Sequence, residues 1–416
     1  MGSIDLDTHV IENDDTWTYL DPAERHFTPR TVVFPDANTP GLARLWLIGD
    51  SWARRMPEDG DLRSIGNVWE TGILDGTDLA AREETLDVLG IDVQLVHSTF
   101  WIGAELDNPL EEAALARSYN RWMADHFEGA ARFPWTLRPP LRIMERAFEE
   151  MEFGKAHGAA GIFLRGVEHG YHLCDPYLFP LYQRAQDLDL AVIVHLGIPT
   201  RRSPSQIGNL VPQPPQVMTH WMAIMSAFYS VLDPSYTDID LTTRFPRLRW
   251  GFVEGGASWA PGVLDIIARQ DATDGARPLL DFQRITPEAL AEKPIFVTLG
   301  TGEDIPYLVS VLGENMLCGA TDYGHNDPAS HLGAHTAILE DPGLEPRVAR
   351  KIVDGNGRRL VGVSSGFRPA PRDRAERGCK LPHVWGAQGT EATIFQPEEH
   401  SGTRGQRVHA RAWKMR

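Results

Sequence analysis

The sequence predicts an α/β fold in which eight parallel strands, each followed by a helix, close into a barrel, with a long insertion after the first strand and a C-terminal extension. Short β-rich apolar runs alternate with helical stretches along most of the chain, as parallel strands with crossover helices require. Counting two weaker runs brings the total to eight, the number that closes such a barrel. With 42% hydrophobic and 23% charged residues, the chain can build a core and is far from the composition that stays disordered.

The first strand is expected at 4–7 and the second at 93–97, followed by a weak third at 132–137. The fourth to sixth fall at 160–165, 190–195 and 248–254, and the last two at 295–298 and 316–321. Between the fourth and fifth, Tyr177, Leu178, Leu181, Tyr182, Ala185 and Leu188 recur at helical spacing, while Arg184, Gln186 and Asp187 fall on the other face. Two regions break the repeat. Residues 13–80, rich in Pro, Asp, Gly and Trp, are too long for an ordinary strand-to-helix loop and are expected to cap the mouth of the barrel. Residues 364–416 lack apolar periodicity and carry ten Lys/Arg against five Asp/Glu, so they are expected to be a mobile or partner-clasping tail beyond a barrel at 1–363.

The 40 Lys+Arg against 57 Asp+Glu give a net charge of -17, which argues against nucleic acid or an anionic membrane as partner and leaves a small-molecule substrate. The acidic start of the chain is unlike a signal peptide, and no apolar run spans a bilayer. Cys174, Cys318 and Cys379 are too few and too far apart for a disulfide framework. A cytoplasmic location is the resulting expectation.

The chemistry is expected where the strands end. The first ends in Asp7-Thr8-His9, the fifth in His195 and the sixth in Glu254, and Asp322 follows the eighth. Alternate residues of a strand point the same way, so Asp7 and His9 project together, and a parallel barrel opens all its C-terminal ends on one face. Carboxylates and imidazoles gathered there are costly to bury unless a cation compensates them, and a divalent metal is the natural one. Glu12 and His325 are candidates for direct ligation or for orienting a ligand. Arg165 and His169 stand where a fourth-strand end would face substrate, with a salt bridge to a neighbouring acid the competing reading for Arg165. Trp46, Trp52, Trp69, Trp101, Trp221 and Trp259 fall in expected mouth loops, with Trp101 and Trp259 the chosen candidates for lining an apolar pocket.

The runs Ile4-Asp5-Leu6-Asp7-Thr8-His9, Leu190-Ala-Val-Ile-Val-His195, Phe245-Pro-Arg-Leu-Arg-Trp-Gly-Phe-Val-Glu254 and Gly319-Ala-Thr-Asp322-Tyr-Gly-His325 resemble the amidohydrolase superfamily, in particular the branch that includes aminocarboxymuconate semialdehyde decarboxylase. The resemblance extends to 351–360 and implies a distorted TIM barrel, often paired as a homodimer, with a metal held by Asp7, His9, His195 and Asp322. This chain departs from the family where Asp7 replaces the first His of His-x-His and Glu254 replaces a sixth-strand His. Glu254 is accordingly a candidate ligand and a candidate proton carrier. A carboxylate-rich set favours Fe or Mn, with Zn possible, as one or two ions. None of the five lysines ends the fourth strand, which excludes a carbamylated-lysine bridge.

Two reactions fit these residues, with Asp322 as general base and acid in the first. Hydrolysis of an amide, ester or thioester in a bulky, largely apolar acyl substrate follows if Glu254 helps to hold a second ion, and is the first expectation. Nonoxidative decarboxylation of an aromatic or muconate-like acid is the alternative implied by the resemblance. It lacks here the sixth-strand His and an Arg whose place is taken by Asp265. A barrel that binds ligand without turnover is the third reading.

Overall fold

In a computed structural model the described residues are 2–35, 42–49, 51–55, 72–197, 214–233, 239–274, 285–325, 330–364 and 367. Eight strands form one parallel sheet: β1 (Ile4–Val10), β2 (Val93–Ser98), β3 (Trp135–Leu137), β4 (Ala159–Arg165), β5 (Ala191–His195), β6 (Trp250–Val253), β7 (Ile295–Thr298) and β8 (Leu317–Cys318), in that order. The sheet curls round until the segment after β8 meets β1. There the Tyr323 N–H donates to the Asp7 carbonyl at 3.1 Å, and the His9 N–H donates to the Tyr323 carbonyl at 2.7 Å. The result is a nearly closed, distorted α/β barrel, as expected.

Helices cover the outside: α1 (Leu79–Leu89), α2 (Pro109–Phe127), α3 (Met144–Ala156), α4 (Phe179–Asp187), α5 (Pro214–Leu232), α6 (Ala260–Asp274) and α7 (Ile305–Leu312). Their starts follow capping chemistry. Asp78, Asn108 and Asp304 each accept a backbone N–H at the first turn of α1, α2 and α7, satisfying donors that have no partner within the helix.

Strand alternation sorts the core. On β5, Val192 and Val194 pack outward with the helices, while Ala191 and Ile193 join Leu6, Val93, Leu95, Val253 and Phe296 in a separate inner cluster. His195 continues the inner parity of 191 and 193, and His97 that of 93 and 95, so apolar burial aims both imidazoles inward. The closing helix, α8 (Asn356–Val361), continues one turn of π geometry at Lys351–Gly355. Asn356 donates from its side chain to the Leu317 carbonyl at 2.8 Å, and a Cβ at Gly357 would run into Ile4, so a larger residue there would push the helix off β1.

The described part of the insertion contains a three-stranded antiparallel sheet made of Arg30–Pro35, Leu42–Ile48 and Ser51–Arg54. Trp46 and Trp52 on this sheet are buried. Trp46 meets Trp17 edge-on at 5.8 Å, and Trp17 meets Phe100 at 4.9 Å, which ties the insertion to the loop after β2. Trp69 and nearly all of the tail, residues 365, 366 and 368–416, lie outside the described residues. Among the described residues, no helix is long and apolar enough to cross a membrane.

Candidate metal centre

At the C-terminal ends of β1 and β5, Asp7, His9 and His195 meet with at most 1% of their surface exposed. The two Nε2 atoms of His9 and His195 lie 3.2 Å apart. Asp7 Oδ1 stands 3.1 Å from the first and 3.5 Å from the second. The opposite ring nitrogens explain this approach. His9 Nδ1 lies 3.3 Å from the Ser98 carbonyl, and His195 Nδ1 lies 2.8 Å from the Leu196 carbonyl. A carbonyl only accepts, so each Nδ1 carries the proton, and in the neutral rings both Nε2 lone pairs face the Asp7 carboxylate.

Such a meeting of lone pairs is stable only around a positive centre. Without an ion it draws a proton: burial lowers the pKa of His195, but Glu254 and Asp7 reverse this and raise it. For His9 burial, helped by the positive charge of neighbouring imidazoles, prevails and the pKa falls well below the ordinary value. Burial pushes the Asp7 carboxyl up, yet the imidazoles of His195 and His9 beside it hold it well below the usual range. An ionised carboxylate and two nitrogen lone pairs converging in a dry site fit a divalent metal.

Asp322 extends the cluster, with Oδ1 3.5 Å from His9 Nε2 and 2.8 Å from His325 Nδ1. The His325 ring stacks on His9 at a centroid distance of 3.7 Å. Among the described residues, two groups place possible ligand atoms within 4.8 Å of one another: Asp7 with His9 and His195, and His9 with Asp322 and His325. Members of both were anticipated by the strand-end reading.

Glu254 stands elsewhere. Its Oε2 lies 3.1 Å from Nδ1 of His195, on the far side of the ring from Asp7 and His9, and it belongs to neither group. As placed here, the Glu254 carboxylate, expected as a ligand, stands where it can hold the His195 ring. Its N–H donates to Thr298 Oγ1 at 3.1 Å. Trp221 and Trp259 both donate from the indole to the carbonyl of Gly255, at 3.1 and 3.0 Å, so Trp259 braces this loop as well as packing on Phe228 and Phe252. Glu254 and Asp322 have left-handed backbone, with φ of 71° and 53°, a conformation that costs a non-glycine residue about 1–3 kcal/mol and clusters at functional sites.

Glu12, a candidate for direct ligation or for orienting a ligand, is engaged beside the site. One oxygen bonds the Ser98 hydroxyl and the other accepts the Phe100 N–H at 2.9 Å, so its carboxylate is used within the β2 loop, outside both ligand groups. Burial pushes its pKa up to about 7.

Arg165 and His169 are not offered to a substrate. Arg165 is fully buried. It donates from Nη2 to Glu168 at 2.6 Å, from Nε to the same carboxylate at 3.2 Å, and from Nη1 to the Ala104 carbonyl at 2.6 Å. Glu168 also accepts two bonds from Arg138, at 2.8 and 2.9 Å. His169 holds Glu112 through Nε2 at 2.8 Å and accepts from Arg142 at Nδ1. Trp101 is buried beside Arg138, whose guanidinium carbon lies 5.2 Å from the indole centroid. A cavity of about 710 Å³ opens farther out, lined by Arg25, Arg30, Ile48, Asp107 and Glu111, and none of the ligand groups lines it.

His97 was missed. It pairs in register with His9 and lies 5.6 Å from the His195 ring, with Nε2 on the Leu6 carbonyl at 2.8 Å and Nδ1 on Thr136 at 3.0 Å. Burial first, then the charge of His195, lowers its pKa to about 4, so it packs as a neutral ring beside His9 and His195. The signal was the same strand-end position that revealed His195.

The sequence pattern of the amidohydrolase family matches residues 80–363. A curated 2-amino-3-carboxymuconate-6-semialdehyde decarboxylase from Dictyostelium discoideum is 23% identical over 317 residues, 75% of this chain and 82% of its own. Among solved structures, an amidohydrolase from Mycobacterium avium subsp. paratuberculosis superposes with a TM-score of 0.66 at 19% identity, covering 86% of this chain and 99% of that one. The 5-carboxyvanillate decarboxylase of Sphingomonas paucimobilis does so at 0.56 and 18%, covering 87% and 99%. With the barrel, the buried ligand groups and a pattern match over most of its length, the chain belongs to the amidohydrolase family.

Proposed function

We propose that the chain is a metal-dependent decarboxylase that removes CO₂, without net oxidation or reduction, from an aromatic or muconate-like acid. The observation that carries this reading is the facing of the His9 and His195 Nε2 atoms, 3.2 Å apart, beside Asp7. The named relatives support decarboxylation over acyl hydrolysis. Neither carboxylate considered for a second ion lies in a ligand group: Glu254 stands on the Nδ1 side of His195, and Glu12 bonds Ser98 and Phe100.

Asp7, His9, His195 and Asp322 would hold the ion, with Mn or Fe favoured over Zn by the two carboxylates. When bound, it supplies Lewis-acid polarisation of a substrate oxygen and orients the acid. The chain does the rest. Glu254 and the Leu196 carbonyl hold His195 in one tautomer and orientation. The buried walls exclude water, which strengthens each charge interaction in the site. Asp322 handles the proton: as the carbon–carboxylate bond breaks, its electron pair takes a proton delivered from Asp322, so R–COO⁻ and H⁺ become R–H and CO₂.

The test is to load the purified protein with Mn²⁺ or Fe²⁺ and to follow CO₂ release from hydroxybenzoates and muconate-like acids. Release that tracks metal content supports the reading. Cleavage of amide, ester or thioester panels with no CO₂ release would overturn it in favour of hydrolysis.

A further inference from the structure

Asp7 and His9 face inward because β1 breaks its own alternation. In register with β2, Ile4 pairs with Val93 and Asp5 with Gln94, but Thr8 pairs with Val96 and His9 with His97. From Asp5 to Thr8 the first strand advances one residue more than its neighbour, so Leu6 and Asp7 together stand opposite Leu95. This is a bulge. Ile4 and Leu6 belong to the inner cluster, and strict alternation from them would carry Thr8 inward and turn Asp7 and His9 out toward the helices. The extra residue reverses that parity. Asp5, fully buried at the foot of the bulge, holds it. One of its oxygens accepts the Asp7 N–H at 3.3 Å and the Thr321 N–H at 2.9 Å, and the other accepts the Thr321 hydroxyl. Thr321 directly precedes Asp322, so one carboxylate ties together the backbones that carry two of the ligands, yet it belongs to neither ligand group. From α1 the buried Arg82 braces the same place, donating to Gln94 at 2.9 Å and to the His9 carbonyl at 3.0 Å.

We propose that Asp5 is a positioning residue whose carboxylate fixes the β1 bulge, and with it the inward aim of Asp7 and His9, while placing Asp322 through its hold on Thr321. The ligands of one ion come from opposite ends of the chain, and this contact sets their relative position before any ion arrives. The inference rests on the reading of Asp7, His9, His195 and Asp322 as the ligand set of the proposed enzyme. It does not depend on which bond that enzyme breaks.

The experiment compares Asp5→Leu, which keeps a branched side chain but removes both acceptor oxygens, with Asp5→Asn, which keeps one for the two N–H donors. Mn²⁺ affinity by equilibrium dialysis should fall about 10–100-fold in Asp5→Leu, the range for lost outer-sphere partners, and stay within several-fold of the unmodified protein in Asp5→Asn. A crystal structure of metal-free Asp5→Leu should show the Asp7 carboxylate withdrawn from His9 and His195. Lower stability in urea with unchanged Mn²⁺ affinity and an unmoved Asp7 would mean that Asp5 only closes the barrel, which overturns the proposal. Equal losses in both variants would mean that the bonds to Asp7 and Thr321 are not what matters, and overturn it as well. Should Asp5→Leu fail to fold, Thr321→Val takes its place: affinity should fall several-fold and recover in Thr321→Ser, and an unchanged affinity in Thr321→Val overturns the assignment. If no acid releases CO₂ while these results hold, the proposed function falls and this inference stands. If the unmodified protein takes up no Mn²⁺, the ion site itself falls, and the place of Asp7 in the metal-free crystals still decides what Asp5 does.

Discussion

At the ends of β1 and β5 and after β8, Asp7, His9, His195, Asp322 and His325 bring nitrogen and oxygen lone pairs together. At the ends of β3 and β4, Arg138 and Arg165 meet Glu168 and Glu112. Both clusters are buried, and each holds residues that sequence reading assigned to the reaction: Asp7, His9, His195 and Asp322 on one side and Arg165 on the other. On the β3–β4 side two guanidinium groups face two carboxylates, all at most 1% exposed, and the charges answer one another. On the other side the imidazoles turn their basic nitrogens toward the acids, and the set is complete only around a cation. Burial of ionisable groups does not distinguish structure from chemistry. What distinguishes them is whether the group already contains its own counter-charge.

The comparison can be broken at either side. The largest effect is expected from Asp322→Asn, which keeps the shape and removes the proton carrier: turnover should fall about 10²–10⁴-fold with an unchanged circular dichroism spectrum. Near-normal turnover would place the acid elsewhere. Next comes Glu168→Ala, which leaves two buried guanidinium groups without their shared partner. Stability by urea unfolding should drop by about 3–5 kcal/mol, while metal affinity changes little. If metal affinity collapses along with stability, the two sides are not independent.

The pH dependence sharpens the same contrast. Burial raises the Glu168 carboxyl, but Arg138 and then Arg165 hold it well below its ordinary value of 4.5. A depressed folded pKa contributes stability that is present above that ordinary value and is lost as pH falls toward the folded one. The unfolding midpoint should therefore decline on acidification below about pH 5 more steeply in the unmodified protein than in Glu168→Ala, as measured by urea titrations across that range. Parallel slopes would show that Glu168 is not the group responsible.

Glu254→Ala should weaken metal binding about 10–100-fold through the loss of the group that holds His195, with the metal-to-protein ratio at saturation unchanged. Loss of a whole equivalent on elemental analysis would restore Glu254 as a ligand. The smallest effect belongs to His169→Gln, whose ring ties Glu112 to Arg142 and stands beside Glu105. CO₂ release should stay within several-fold of the unmodified rate, and a larger loss would return His169 to the substrate.

Most of the barrel was legible because strands buried on both faces read as continuous apolar runs, and their ends point to one mouth. The strand limits were less so. The sixth was expected to include Glu254, but the left-handed backbone there ends β6 at Val253. The eighth was expected at 316–321, yet only Leu317–Cys318 is regular, because Asn356 takes the Leu317 carbonyl and the closing contact with β1 comes later, at Tyr323. Asp7, His9, His195 and Asp322 were visible as strand-end residues of the right chemical type. Arg165 was equally visible and equally strand-terminal, but its direction depends on Glu168, three residues on, and the letters do not say which way a guanidinium turns.

The backbone at Glu254 and Asp322 carries a consequence for engineering. A glycine would occupy either conformation without penalty, so selection for heat resistance alone should favour Glu254→Gly and Asp322→Gly, raising the melting temperature while silencing the enzyme. Of the four described non-glycine positions with left-handed backbone, His169 and Asp189 could accept such relief, whereas Glu254 and Asp322 are the two that the site can least tolerate losing.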